Sequence, residues 1–303
     1  MQAPMDLDEL DRRFAVAGAL AFETSPLGGV VARLKCRGSE ATVALQGAHV
    51  LGWRHAGAEM LWLSPVARLG TGKPVRGGIP VCWPWFGPHP ADPAKPAHGF
   101  VRTRAWDVAS CSADAASVSI TLSTTTGAAE LALFPHKAEA HLTVTLAGDL
   151  ALQLATHNRG SAAMPLSQAL HTYFRVADIA AVRVDGLAGR PYIDKLDDRQ
   201  SRKSQVGPVT FTGETDRIYL GDTSAITLAG GKSAGQVLAI SSEGSASAVV
   251  WNPWSDKTQR LGDMGGPSAY RHMLCIETTN AGDDVRTVEP GAVHVLSARY
   301  RPV

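Results

Sequence analysis

His141-Leu-Thr-Val144-Thr-Leu146-Ala-Gly-Asp149-Leu150-Ala-Leu152-Gln-Leu154 is the stretch whose pattern decides the fold class. Leucine or valine occupies every second position on either side of Ala147-Gly148-Asp149, with Thr, Ala or Gln in between. Side chains of an extended chain point alternately to opposite faces, so this spacing makes two half-buried strands. The short polar break between them makes the pair a hairpin.

The same period recurs outward from this hairpin. Val118, Ile120 and Leu122 alternate with Ser and Thr, and further strand-like runs lie at Ala41 to Leu45, Val182 to Val184, Ile226 to Leu228, Val237 to Ile240, Ala248 to Trp251, Met273 to Thr278 and Val293 to Arg299. Clusters of Gly, Pro, Asp and Ser separate them, and helical periodicity is almost absent after residue 25. An all-β antiparallel sandwich or barrel follows. The strands run the whole length without a repeat, a linker or a composition break, so one domain over residues 1–303 is expected, with 1–25 as an N-terminal extension. Within that extension Leu7, Leu10 and Phe14 have the spacing of a short amphipathic helix.

Composition narrows the function classes. Of 303 residues, 45% are apolar and 19% charged, enough for a large core, and the formal net charge is only +1. Nucleic acid and membrane surfaces are recognised through a basic excess, so neither is expected as a partner. Cys36, Cys82, Cys111 and Cys275 are widely spaced, which reads as free thiols in a reducing cytoplasm. Arg12-Arg13 ahead of the apolar run Phe14 to Phe22 faintly resembles an export signal. Four acidic residues upstream and the lack of a clear cleavage site argue against one, and a cytoplasmic location is expected.

The densest chemistry lies in Lys73-Pro-Val-Arg76-Gly-Gly-Ile-Pro-Val-Cys-Trp83-Pro-Trp85-Phe86-Gly-Pro and in His98-Gly-Phe-Val-Arg102. Glycines beside Arg76 permit positive φ and close approach of a ligand, and guanidinium groups grip phosphate or carboxylate with a planar fork of donors. Gly70-Thr-Gly-Lys73-Pro has the wrong spacing for a phosphate loop, with proline where a helix would begin. The ten histidines fall into no ligand spacing, so no metal is implied. Alternation in Pro165 to Phe174 puts Ala169, His171 and Tyr173 on one face, where the tyrosine can hydrogen-bond the imidazole. Alternation in Met273 to Thr278 puts Glu277 with Cys275 and Met273, and an apolar setting raises a carboxyl pKa toward the range of a base working near neutrality. Asp216 and the tryptophans Trp251 and Trp254 have the character of a sugar site, a carboxylate for hydroxyls and indole faces for C–H surfaces. Taken singly, each of these residues is more often structural than functional.

Together, Val75-Arg76-Gly-Gly-Ile-Pro, His98-Gly-Phe-Val-Arg102, Leu170-His171-Thr-Tyr-Phe174, Asp216-Arg-Ile-Tyr219, Trp251-Asn-Pro-Trp254 and Cys275-Ile-Glu277 resemble, in order, the glucose-6-phosphate 1-epimerases of the aldose 1-epimerase superfamily, from about residue 40 to the C-terminus. The resemblance implies a galactose-mutarotase-like antiparallel β-supersandwich with an open cleft. It implies His171 as general acid, Glu277 as general base, Arg76 and Arg102 as phosphate ligands, Asp216 as a binder of sugar hydroxyls and His98 as a pocket residue. It also implies ring opening and closure of a hexose 6-phosphate without metal or cofactor, Glu277 starting ionised and His171 protonated, and the arginines at the end of the cleft far from Glu277. The substrate partner is then a small sugar phosphate and the protein a monomer. Two other readings are an aldose 1-epimerase for unphosphorylated sugars and a carbohydrate-binding protein without turnover.

Overall fold

The hairpin forms as its alternation requires. Ala138–Leu146 and Leu150–Asn158 pair antiparallel, with Leu146 opposite Leu150, Val144 opposite Leu152 and Leu142 opposite Leu154. All six side chains are fully buried. These strands form the centre of an eight-stranded sheet ordered Arg183–Asp185, Ala225–Ala229, Val237–Glu243, Val293–Pro302, Leu150–Asn158, Ala138–Leu146, Val118–Thr125, Asp107–Ala113. The computed structural model from which this architecture is taken describes residues 6–230 and 237–303.

Two further sheets cover this one. A five-stranded meander, Leu20–Thr24, Val30–Cys36, Ser39–Ala44, His49–His55 and Ala58–Glu59, packs on the Val118–Thr125 and Ala138–Leu146 end. A second eight-stranded sheet runs Arg202–Ser204, Pro191–Asp194, Thr215–Leu220, Ser247–Asn252, Met273–Asn280, Gln168–Leu170, Val81–Cys82, with Tyr173–Arg175 also paired to Met273–Asn280. Its inner face meets the first sheet where the Phe174 and Tyr300 rings cross edge to face at 5.3 Å and where the hydroxyls of Thr172 and Tyr300 lie 2.6 Å apart. The core joining the layers runs from Leu10 to Tyr300.

Met273–Asn280 explains how this sheet can carry a site. All eight of its residues are buried, because both faces are covered. Leu274 and Ile276 join the main core, whereas Met273 and Cys275 belong to a separate apolar cluster with Trp62, Tyr173, Val249 and Trp251. A strand covered on both sides loses the apolar and polar alternation of a surface strand.

The N-terminal helix spans Leu7–Phe14, capped by Asp6, whose carboxylate accepts from the Glu9 N–H at 2.8 Å, and it buries Leu10. Residues 1–5 of the expected extension lie outside the described residues. Two helices the sequence did not announce are Ala128–Leu131 and Trp254–Arg260. The first is one turn long, and the second buries only Thr258, so neither has an apolar stripe to read. Among the described residues no helix is long and apolar enough to cross a membrane.

Leu152 is fully buried at the middle of the hairpin. Truncating Leu152→Ala is expected to lower stability by about 2–5 kcal/mol, through lost transfer energy and the cavity left behind. Urea denaturation monitored by tryptophan fluorescence reads the change.

Candidate active site

Strand register builds the site. Gln168–Leu170 pairs Leu170 with Thr278, and Tyr173–Arg175 pairs Tyr173 with Cys275. The register is unbroken across the gap, so His171 stands directly opposite Glu277. On the other side, Val249 opposes Glu277 and Ile218, while Trp251 opposes Cys275 and Asp216. Two neighbouring cross-strand rows result on one face: Ile218, Val249, Glu277, His171 and Asp216, Trp251, Cys275, Tyr173. Opposed side chains in a sheet sit about 5 Å apart, so these rows bring residues from four distant segments into contact.

The central pair is close and dry. His171 Nδ1 lies 3.3 Å from Glu277 Oε1, without hydrogen-bond alignment, and the two side chains are 12% and 1% exposed. His171 stacks on Tyr173 with centroids 4.8 Å apart and planes 6° from parallel, and Trp251 meets its edge at 6.2 Å. The expected hydrogen bond from tyrosine to imidazole is thus replaced by stacking. The Tyr173 hydroxyl instead accepts from Arg76 Nη1 at 3.0 Å.

Arg76 and His98 reach the site from loops whose glycines are obligatory. Gly78 has φ 64°, and a Cβ there would sit 2.2 Å from the Val50 carbonyl oxygen; at Gly99, φ 75°, it would sit 1.8 Å from that of Trp83. The Arg76 fork is held by Asp263, through Nε at 3.0 Å and Nη2 at 2.9 Å. His98 Nδ1 accepts from the Gly87 N–H at 3.3 Å, and the ring meets Phe86 at 5.0 Å and His171 at 5.8 Å.

Two adjoining cavities share Arg76, His98 and His171. One, of about 230 Å³, is also lined by Phe86, Asp216, Trp251, Lys257 and Glu277. The other, of about 790 Å³, is also lined by Arg68, Thr71, Lys73, Arg102 and Tyr173. Arg102 donates from Nη2 to the Ala97 carbonyl at 2.7 Å, while its buried Nε has no hydrogen-bond partner among the described residues. All six residues singled out from sequence therefore converge. Arg102 lies in the cavity that Glu277 does not line, as expected. Arg76 does not share that remote position: it borders both cavities, and Asp263 and Tyr173 occupy much of its fork. Lys73, from the stretch rejected as a phosphate loop, lines the Arg102 cavity without any helix behind it.

Sequence reasoning missed Asp263 and Lys257. Asp263 lies in a loop and meets Arg76 across 187 residues of chain. Lys257 sits on the Trp254–Arg260 helix, which starts where Asn252 Oδ1 accepts from the Trp254 N–H at 2.9 Å, and its ammonium is bonded to Glu214 at 2.7 Å. The run Trp251-Asn-Pro-Trp254 was the available signal for such a turn into a helix.

Burial governs the electrostatics. It pushes the Glu277 carboxyl well above the usual carboxylate range, and the Asp216 charge adds to this. Burial also raises Asp216, against the pull of Lys257 and Lys195. It holds His171 well below the usual imidazole range, helped by the charges of His98, Arg76 and Arg102. His98 is driven down to about 3 by burial and by Arg102 and Arg76.

The fold and the family that the chain matches define an isomerase of the mutarotase class. The chain belongs to the aldose 1-epimerase family, whose model, described as Aldose 1-epimerase, matches residues 31–301. An Escherichia coli protein provisionally named glucose-6-phosphate 1-epimerase is 35% identical over 262 residues, 86% of each chain. A Cenchrus ciliaris protein with the same provisional name is 34% identical over 83% of this chain and 78% of its own. The crystal structure of a Salmonella typhimurium protein, YeaD, provisionally described as a mutarotase, superposes with a TM-score of 0.87 at 28% identity, over 96% of this chain and 95% of that one.

His49 supports the Arg76 loop by donating from Nε2 to the Gly77 carbonyl at 2.7 Å, and burial lowers its pKa to about 4. His49 and His98 both titrate near 6.5 when unfolded. Below that value the unfolded chain binds protons the folded chain excludes. Stability is therefore full above pH 6.5 and falls on acidification, by up to about 1.4 kcal/mol per pH unit for each histidine until its folded pKa is reached. Urea midpoints measured from pH 7 to pH 5 should fall, and His49→Gln should flatten the slope.

Proposed function

We propose that the protein interconverts the α and β anomers of a hexose 6-phosphate, glucose 6-phosphate in the first instance. The observation that carries the reading is the register-matched His171–Glu277 pair, 3.3 Å apart on the cleft floor, beside a cavity that holds Arg102. The relatives' names point the same way.

Anomer exchange needs one proton removed from the C1 hydroxyl and one delivered to the ring oxygen. The C1–O5 bond breaks, the aldehyde rotates about C1–C2, and closure reverses the transfers. Two proton-carrying groups suffice for these steps. A protonated carboxyl with a neutral imidazole carries the same number of protons as a carboxylate with an imidazolium. Burial opposes charge on both Glu277 and His171, while opposite charges 3.3 Å apart attract, so the two groups hold their proton jointly. In the ionised form expected from the resemblance Glu277 takes the hydroxyl proton and His171 supplies the ring oxygen, and the assignments exchange in the uncharged form and in the reverse direction.

The other residues fit a sugar phosphate. Asp216 accepts from ring hydroxyls, the Trp251 indole covers a C–H face, and His98, kept neutral with Nε2 protonated, donates without adding charge. Arg102 and the free donors of Arg76 take the phosphate on C6.

Polarimetry on freshly dissolved α-glucose 6-phosphate tests the pair: Glu277→Gln or His171→Gln should each slow anomer exchange by about 10²–10⁴-fold with the fold intact. A turnover unchanged by both sinks the mechanism.

Arg102→Ala tests the phosphate assignment separately. Loss of one charge-assisted contact should raise KM for glucose 6-phosphate about tenfold to a hundredfold while turnover of unphosphorylated glucose stays the same. An equal loss with both sugars would return the protein to the unphosphorylated-sugar reading.

A further inference from the structure

We propose that the cleft floor is also a binding site for a thiophilic divalent cation of the zinc or cadmium class, held by His171, Cys275 and Glu277, and that an ion there inhibits the enzyme. The binding half of this inference stands on geometry alone; the inhibitory half rests on the proton-transfer reading given above.

The three side chains form a tripod because of the register. Glu277 opposes His171 directly, and Cys275 precedes Glu277 by two residues on the same face. One ligand atom from each, an imidazole nitrogen, the thiol sulfur and a carboxylate oxygen, lie within 4.8 Å of one another. Ligands of a tetrahedral zinc ion, bonded at about 2.0–2.3 Å, stand roughly 3.3–3.8 Å apart, so closure by about 1 Å is needed. His171 Nδ1 and Glu277 Oε2 are buried polar atoms with no hydrogen-bond partner among the described residues. Unsatisfied atoms in a dry site are costly, and a ligand that engages them offsets that cost.

Charge balance favours the ion over the bare ligands. A divalent cation held by a thiolate, a carboxylate and a neutral imidazole makes a complex of zero net charge. Burying a neutral assembly avoids the desolvation penalty that each separate ion would carry, and it adds no net charge beside Arg76 and Arg102. Mixed sulfur, nitrogen and oxygen donors select zinc and cadmium over magnesium or calcium. His171 and Glu277 line the smaller cavity, which gives the ion its entry, and Cys275 is fully buried next to them. Ligation engages both proposed proton carriers, so the ion and sugar turnover exclude each other.

Cadmium titration followed by the ultraviolet charge-transfer band of a cadmium thiolate tests binding without any assay of turnover. The half-buried Cys36 and Cys111 are first replaced by serine to remove competing thiols. One equivalent should produce the band, and Cys275→Ser should abolish it. Loss of an outer-sphere partner alone costs about 10–100-fold in metal affinity, so His171→Ala and Glu277→Gln, each removing a ligand, should weaken cadmium binding at least about tenfold. His171→Ala keeps the test decisive if the buried cysteine variant fails to fold. No band, a band that survives Cys275→Ser, or affinity unchanged in His171→Ala overturns the site. Zinc should abolish glucose 6-phosphate turnover, with EDTA restoring it; full turnover with the ion bound overturns the inhibition while leaving the site.

Discussion

The structure depends on a single constraint, the burial of the Met273–Asn280 strand on both faces with its register held to the Gln168–Leu170 and Tyr173–Arg175 pieces. One face is committed to the main core through Leu274 and Ile276. Alternation then obliges Cys275 and Glu277 to point the other way, into the cleft. A slip of one residue would turn the carboxyl into the core and an isoleucine toward the sugar, so the packing of the inner face fixes the chemistry of the outer one. Buried polar side chains brace this register: Gln168 donates to Asn280 Oδ1 at 3.1 Å, and Thr156 joins Gln168 to the Trp83 indole. Linked donors and acceptors of this kind tolerate only one alignment of the strands that carry them.

The same burial sets the electrical state of the cleft. An exposed carboxylate and imidazole facing each other would form an ion pair at neutral pH. In a dry setting desolvation outweighs part of that attraction, and the pair is best described by the protons it holds jointly. The arginines are arranged differently: Arg76 is committed to Asp263 and Tyr173, while Arg102 stands in the adjoining cavity.

Much of the fold was legible in the sequence, because long amphipathic strands advertise themselves. Leu142 to Leu154 announced a hairpin, and its register matches leucine with leucine as the pattern requires. The N-terminal helix was readable from Leu7, Leu10 and Phe14. The Trp254–Arg260 helix was not, because it is two turns long and buries only Thr258, which leaves no apolar stripe. The residues of the cleft could be listed, but their mutual contacts could not. The opposition of His171 to Glu277 is a matter of long-range register across about a hundred residues, and only the family resemblance tied the two together. Asp263 left no trace, since an aspartate in a glycine-rich loop looks like any turn residue until its arginine is seen.

The contrast between Asp263 and Asp216 shows why residue type alone did not separate support from binding. Both are acidic and both lie near a cation. Asp263 directs one carboxylate oxygen, Oδ2, to a guanidinium fork, and its other oxygen, Oδ1, has no hydrogen-bond partner among the described residues. Asp216 lies on a strand whose neighbour is Trp251, and the nearby ammonium of Lys257 is itself engaged by Glu214. Burial raises the Asp216 carboxyl, and the residue lines the smaller cavity together with Glu277. A buried carboxyl with unused acceptors gains most from a ligand rich in hydroxyl donors, because each new hydrogen bond offsets a desolvation cost the folded protein already bears. The guanidinium fork that Asp263 grips, and the place of Asp216 beside Trp251 in the cavity of Glu277, are what separate the aspartate that braces the Arg76 loop from the one proposed to meet the sugar.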